Sequence, residues 1–365
     1  MRCCILKLGG LGDLLMMTPG LRAFRKSFPE AYIGFIVGES NSQVFKNCAY
    51  VDDVFTVDDR KIFQGRHLER WKEIFRLRAL IRRLHVGRIF LAHRDWRWNL
   101  LAYTCGVPHR SGFSRDLRGM FLTDAISTSL SEHEIEKYQK LFGTQVGYEC
   151  DGDRMELFPS QEDYKAIDSL VQKSEGVPMV AIAPGGASNA KETRSISRWP
   201  VECYHTLVSR LLEETECLIY LVGGPSDSDV IREVMGGRRD SRVVDTSGRT
   251  TVQQSFLLLQ HCDVFVTHDC GPMHIGAAAG IPVISLFGPT YPVEKRPISS
   301  PDSVAIWHGS GISCSPCYQD GIFPQCSDQI CMRMITVDAV IEAVRHVLDG
   351  GSTGGPRHEA RLEHR

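Results

Sequence analysis

Asp263–Pro289, DVFVTHDCGPMHIGAAAGIPVISLFGP, reads as strand, polar elbow, helix and strand. DVFVT is a short apolar run of the buried-strand kind and HDCGPM a turn. HIGAAAG is a helix of small residues that can lie close on a sheet, and IPVISLFG is a second apolar strand. A helix that starts just past a strand's carboxyl end turns unpaired backbone N–H groups toward the crevice above the sheet. Those donors and the helix dipole favour a phosphate there. Asp269 precedes the glycine of the elbow, so a carboxylate faces the same crevice and could accept hydrogen bonds from sugar hydroxyls. The pattern suits a nucleotide-linked sugar held at the switch point of an open α/β sheet.

The same alternation extends outward in both directions. CCILKLG, AYIGFIV, VDDVFTV and GRIFLA read as strands, with helices over LLMMTPGLRAFRKSF and from about His67 to Leu84. Residues from about Gly106 to Cys150 are polar and less regular. The pattern then restarts. A helix opens at Ser160 and Asp163 in a capping-like start, and PMVAIAPGG and CLIYLVGGP are strands that end in glycine turns. VECYHTLVSRLLEE, TTVQQSFLLLQHC and TVDAVIEAVRHVL are helices. The division expected is an α/β chain of two Rossmann-like domains: an acceptor-binding one over 1–155 and a nucleotide-sugar-binding one over 156–348. A linker falls near Asp151–Ser160, and the Gly-rich, charged stretch 349–365 reads as a disordered tail. Two such domains facing each other bind ligands in the deep cleft between them.

Composition narrows the classes of function. With 365 residues, 42% hydrophobic and 24% charged, the chain has ordinary globular make-up. A formal net charge of −2 gives no global basic field, so nucleic acid is not an expected partner. No apolar run approaches the roughly 20 residues of a membrane span, and the opening MRCCILKLGGLGD has no signal-peptide form. The expected place is the cytoplasm. Arg76, Arg78, Arg82, Arg83 and Arg88 sit on or near one predicted helix. They make either a solvated face or a docking face for anionic headgroups or an anionic acceptor. The second reading would put the protein peripherally on the inner membrane's cytoplasmic face.

Three glycine turns carry the chemistry besides the opening elbow. In Lys7–Pro19, KLGGLGDLLMMTP, Gly9, Gly10 and Gly12 let backbone approach a ligand or acceptor, and Asp13 stands at the helix start. Asp13 is either an N-cap or a general base for an acceptor hydroxyl; the base needs a carboxylate not paired with a permanent cation. The segment is not GxGxxG, which counts against a nicotinamide-dependent oxidoreductase. In Ala183–Pro200, APGGASNAKETRSISRWP, the loop donors Ser188, Asn189, Lys191, Arg194 and Arg198 could neutralise a diphosphate leaving group. In GGPSD, Asp227 could accept from ribose hydroxyls or cap the next helix.

In order and spacing, the chain resembles glycosyltransferase family 9, the ADP-heptose:lipopolysaccharide heptosyltransferases. The matching stretches are ILKLGGLGD…TP, PGG…RWP, the GGP turn, DCGPMHIGAAAGIPVISLFGPT and CSPC…CM, from Met1 to about Leu348. The resemblance implies a GT-B fold, an inverting mechanism without a catalytic metal or required cofactor, and ADP-L-glycero-β-D-manno-heptose as donor. The implied acceptor is a lipopolysaccharide inner-core sugar, lipid-linked, or a related glycan. Carried over by position, Asp13 falls on the base, Asp227 on the ribose-binding acid and Asp269 on the aspartate at the heptose hydroxyls. Cys270 and Gly271 fall on the diphosphate elbow, and His274 on the histidine of its helix, where a structural role is equally open. One departure is Ser197, which stands where the family commonly has a phosphate- or acceptor-contacting lysine. The rival readings are a same-fold enzyme using another nucleotide sugar and a non-catalytic sugar-nucleotide binder.

The thirteen cysteines divide into two sets. Cys48, Cys105, Cys203, Cys217 and Cys262 are scattered and read as small buried hydrophobes. Cys314, Cys317, Cys326 and Cys331 lie close in sequence. Free thiols, a structural zinc or iron site, and disulfides are the three readings for them, with disulfides least favoured in the cytoplasm.

Overall fold

The computed structural model describes residues 1–114, 119–172, 176–186, 195–298, 300–318 and 323–350. The chain forms two compact units, one over Met1–Phe158 and one from Pro159 onward.

In the first unit the elements are β1 (Arg2–Lys7), α1 (Leu11–Ser27), β2 (Tyr32–Gly38), β3 (Asp53–Val57), α2 (Asp59–Gln64), α3 (His67–Arg83), β4 (Arg88–Leu91), α4 (Trp96–Thr104), β5 (His109–Phe113), β6 (Asp124–Ile126) and α5 (Glu134–Phe142). The second unit has α6 (Gln161–Asp168), β7 (Met179–Ala183), α7 (Val201–Glu214), β8 (Leu218–Leu221), α8 (Ser228–Met235), β9 (Val243–Asp245), α9 (Val252–Gln260), β10 (Val264–His268), α10 (Gly271–Ala279), β11 (Val283–Phe287), α11 (Pro292–Lys295), β12 (Val304–Trp307), α12 (Ile330–Arg333) and α13 (Val337–Leu348).

The sheets are parallel throughout, ordered β3-β2-β1-β4-β5-β6 and β12-β11-β10-β7-β8-β9. Counted from its own first strand, each runs 3-2-1-4-5-6, the Rossmann order. The order reverses between β1 and β4 in one sheet and between β7 and β10 in the other. A ligand crevice is expected beyond the carboxyl ends of those two strand pairs. The four strands concerned are nearly pure apolar runs because helices cover both faces.

The region read as irregular after Gly106 holds β5, β6 and α5. α4, α8, β9 and β12 also lie outside the elements expected from the sequence. The capping start at Ser160 is real: its hydroxyl accepts from Asp163 N–H, and Asp163 Oδ2 accepts from Ser160 N–H at 2.9 Å. Trp199, 1% exposed, anchors the second core and donates its Nε1–H to Ile335 C=O at 2.9 Å. The RWP segment is thus pinned where the chain enters α7, with Pro200 as its N-cap. No helix among the described residues is long and apolar enough to cross a membrane.

Candidate active site

Each switch point carries a glycine turn, a helix whose N-terminus no side chain caps, and a polar residue ending an apolar strand. In the first unit that residue is Lys7, the last of β1, only 8% exposed. Gly10 is the N-cap of α1, so Asp13 is the third residue of the helix and not its cap. Gly12 is buried in that first turn, and Gly9 gives its carbonyl to Asn41 Nδ2 at 3.0 Å.

Asp13 faces back across the turn and has a cationic partner. Its Oδ2 lies 3.1 Å from Lys7 Nζ, which also donates to Ala92 C=O at 3.1 Å. This corrects the condition set on a base from sequence, because the carboxylate rests beside a permanent cation. The Asp13 side chain is 29% exposed against 9% for Lys7, so the carboxylate is the accessible member. Tyr138 bonds to Asp13, and burial, then the Asp13 and Glu134 carboxylates, push its phenol well above its ordinary pKa. It therefore stays a neutral donor. Glu134 is shared by Arg94 at 2.5 Å and by buried Lys137 at 3.0 Å. Opposite, Leu8 N–H donates to His93 Nε2 at 2.8 Å, which leaves the ring proton of a neutral His93 on Nδ1.

In the second unit β7 ends in the Gly185–Gly186 turn, and β10 ends in His268, followed by Asp269 and Cys270. Gly186 has φ +82°, and a Cβ there would stand 3.3 Å from Cys270 Cβ and Sγ. The turn therefore needs a glycine both for its left-handed backbone and for the close approach to the elbow. Its carbonyl accepts from Arg198 Nη2 at 2.6 Å and Nε at 3.2 Å. Arg198 Nη1 has no hydrogen-bond partner among the described residues and is available to an anion.

Asp227 is 5% exposed and accepts from Gly186 N–H with one oxygen and Gly224 N–H with the other, both at 2.8 Å. Its side chain does not cap α8; it ties two glycine turns together through their backbone N–H groups. It shapes the turns by their own backbone and does not extend a free carboxylate toward a ribose.

Asp269 Oδ2 accepts from Thr290 Oγ1 at 2.7 Å, so a threonine after β11 orients it. Cys270 is the N-cap of α10, which has no side-chain cap, and Gly271 starts the helix. Burial first of all pushes the Cys270 thiol up to about 12, so it serves as a packed thiol and not as a nucleophile. His274 is 4% exposed on the first turn of α10. Ser197 is 1% exposed and its Oγ has no partner among the described residues, so it does not supply the charge of a lysine. Ser188, Lys191 and Arg194 lie outside the described residues.

The four clustered cysteines frame the end of β11. Ser315 Oγ donates to Gly288 C=O at 2.7 Å and Cys317 N–H to Pro289 C=O at 3.0 Å. A Cβ on Gly288 would lie 2.9 Å from Cys331 Sγ. All thirteen cysteines are free thiols. Among the described residues, no three His, Cys, Asp or Glu side chains stand close enough together to hold a metal.

Sequence reasoning missed Lys7, Tyr138, His93, Thr290 and His268. Two of these left a signal, since Lys7 and His268 are the polar last residues of otherwise apolar strands. His268 bonds Tyr204 OH through Nδ1 at 3.0 Å, and its Nε2 has no partner among the described residues. Burial, then Arg198, pull its pKa down to about 3, with Asp269 opposing. An unfolded histidine titrates near pH 6.5. The unfolded chain thus takes up a proton that the native chain refuses between about pH 6.5 and 3. This site's stability is present at neutral pH and is lost as pH falls through that window, by about 1.4 kcal/mol per unit. Urea unfolding at pH 7, 6, 5 and 4 should show this slope, and His268→Leu should reduce it by about one proton's worth.

Two Rossmann-ordered sheets in one chain, each with a glycine elbow at its switch point, are the architecture of the GT-B fold. The chain belongs to glycosyltransferase family 9 (heptosyltransferase), whose family model matches residues 74–322. It is 22% identical over 300 residues to lipopolysaccharide heptosyltransferase 2 of Salmonella typhimurium, covering 79% of this chain and 83% of the relative. Among solved structures, a glycosyl transferase family 9 protein from Veillonella parvula superimposes with a TM-score of 0.75 at 20% identity, covering 95% of this chain and 97% of that one. The E. coli ADP-heptose lps heptosyltransferase II does so with a TM-score of 0.72 at 20% identity, covering 97% and 100%.

Proposed function

We propose that the protein is an inverting heptosyltransferase that moves heptose from ADP-L-glycero-β-D-manno-heptose to a hydroxyl of a lipopolysaccharide inner-core sugar or a related glycan. The observation that carries this reading is the second elbow. An uncapped helix N-terminus, the Arg198 guanidinium fixed on the Gly186 carbonyl and the Thr290-oriented carboxylate of Asp269 belong to one switch point. The first two suit a diphosphate, the third a sugar hydroxyl. Family membership and the likeness to the E. coli ADP-heptose lps heptosyltransferase II support the choice of donor.

In the proposed step the acceptor hydroxyl oxygen attacks the anomeric carbon. The bond from that carbon to the β-phosphate oxygen breaks, and ADP leaves from the opposite face with its electron pair. The hydroxyl proton passes to Asp13. Lys7 and Tyr138 hold the carboxylate in place. A hydroxyl that displaces Lys7 from Oδ2 meets the stronger acceptor. Charge growing on the diphosphate is met by Arg198 and the α10 N-terminus, tasks that another enzyme could give to a metal.

Incubation with ADP-heptose and core-glycan acceptors should yield a product heavier by one heptose unit in mass spectrometry. ADP should raise the melting temperature more than UDP or GDP does. Stabilisation by UDP or GDP instead would mean another nucleotide sugar. ADP binding with no transfer to any acceptor would mean a binding protein.

A further inference from the structure

We propose that the outward face of α3 docks this protein on an anionic lipid bilayer. α3 packs inward through Leu77 and Ile81, both nearly inaccessible. On the opposite side Leu68, Trp71 and Phe75 recur at helical spacing and are 86%, 56% and 62% exposed. The Trp71 and Phe75 rings lie 6.2 Å apart and form one ridge. Scattered apolar residues on a surface are ordinary. A leucine, a tryptophan and a phenylalanine aligned on one helix and pointing away from the core are not.

The charges beside the ridge choose its occupant. Lys72, Arg76, Arg82 and Arg83 are exposed on α3. Six lysines and arginines in His67–Arg83 face two glutamates, a local balance of +4 in a chain whose formal net charge is −2. One of those glutamates, Glu73, is buried and pairs with Arg76 at 2.5 Å. Arg88 drops out of the expected basic set: it lies in β4 and pairs with Asp124 at 2.9 Å. Arg78 is turned to the Thr104 carbonyl at 3.1 Å. A second copy of the chain would bring the same positive face against this one, which repels. An anionic headgroup layer is attracted by it, and below the headgroups lies the apolar boundary that takes tryptophan, phenylalanine and leucine. α3, 17 residues long, lies in the plane of the surface and does not span it.

The inference rests on the proposed function only for its use: a lipid-linked acceptor is met where it is anchored. Binding itself is therefore tested without donor or acceptor. The full chain should sediment with vesicles of phosphatidylglycerol and phosphatidylethanolamine, far less with phosphatidylcholine alone, and less as salt rises. Two double variants, Trp71→Ser/Phe75→Ser and Lys72→Glu/Arg83→Glu, should each weaken vesicle binding at least about 10-fold. Their melting temperatures should match the wild type, because all four side chains are exposed. Transfer to an acceptor glycan cleaved from its lipid should continue at the wild-type rate, while transfer to vesicle-embedded acceptor falls. Equal binding of wild type and variants, no preference for anionic vesicles, or a lipid-free dimer that both variants dissolve would overturn the inference. Loss of all transfer in the wild type, with vesicle binding intact, would count against the enzyme reading and leave the docking face standing.

Discussion

Asp13→Asn is expected to cut transfer by at least about 10²-fold, within the range that loss of a positioned general base commonly costs, while ADP still raises the melting temperature as in the wild type. The substitution keeps the side chain's size and leaves an amide oxygen for Lys7 Nζ and Tyr138, so the first turn of α1 has no reason to move. What disappears is the second proton-accepting state of the group. Nucleotide binding should be spared, because the Gly185–Gly186 turn, Arg198 and α10 all belong to the second unit. Single-turnover rates with saturating donor, beside a thermal-shift titration with ADP, separate the two effects. Transfer at the wild-type rate would remove Asp13 from proton transfer and leave its ion pair with Lys7 as a structural contact. A matched fall in ADP affinity would also count against the assignment, since a base touches the acceptor and not the nucleotide.

What was legible in the sequence follows the physics of burial. β1, β7, β10 and β11 are covered on both faces and stand out as apolar runs bounded by glycine turns. β9, only VVD, is half-buried at one edge of its sheet, and β6, only DAI, lies at an edge of the other. Three residues without an apolar pattern leave almost nothing to read. β5, HRSGF, begins with two polar residues and hides in a stretch that composition marks as loop.

The elbow from Asp269 to His274 was readable because a strand, a glycine and a helix of small residues must follow one another to make it. Its orienting partner, Thr290, comes from a different strand end, and only folding brings the two together. Lys7 shows a more general limit. Sequence placed Asp13 at a helix start, but α1 begins two residues earlier, and the turn brings the helix's third residue back over the end of β1. An ion pair between residues six apart across a turn has no periodic signature. Asp227 shows a third case: neither reading foresaw that its carboxylate would bridge two glycine turns 38 residues apart in sequence, Gly186 and Gly224.

Asp227→Ala should strongly destabilise the second unit. A Cβ built on Gly185 would lie 2.4 Å from Asp227 Cβ, and one on Gly223 2.9 Å away, so the carboxylate fills the space between two glycine turns. Its removal strands the N–H groups of Gly186 and Gly224 in a site that is 5% exposed. An unsatisfied buried donor costs about 1–3 kcal/mol, more when its lost partner was charged. Two together, even with some relaxation toward water, amount to roughly 3–5 kcal/mol. For a unit of this size each kcal/mol shifts the melting temperature by about 2–4 °C, so a fall on the order of 10 °C is expected. Asp227→Asn keeps one acceptor and turns an amide NH₂ toward the other N–H, and should cost about half as much. Nucleotide binding should fall with both, because Gly186 carries the carbonyl that fixes Arg198. The order wild type, Asn, Ala should therefore appear twice, in urea midpoints and in ADP titrations at a temperature where all three are folded. An alanine variant as stable as the wild type, with weaker ADP binding, would instead return Asp227 to direct ribose contact.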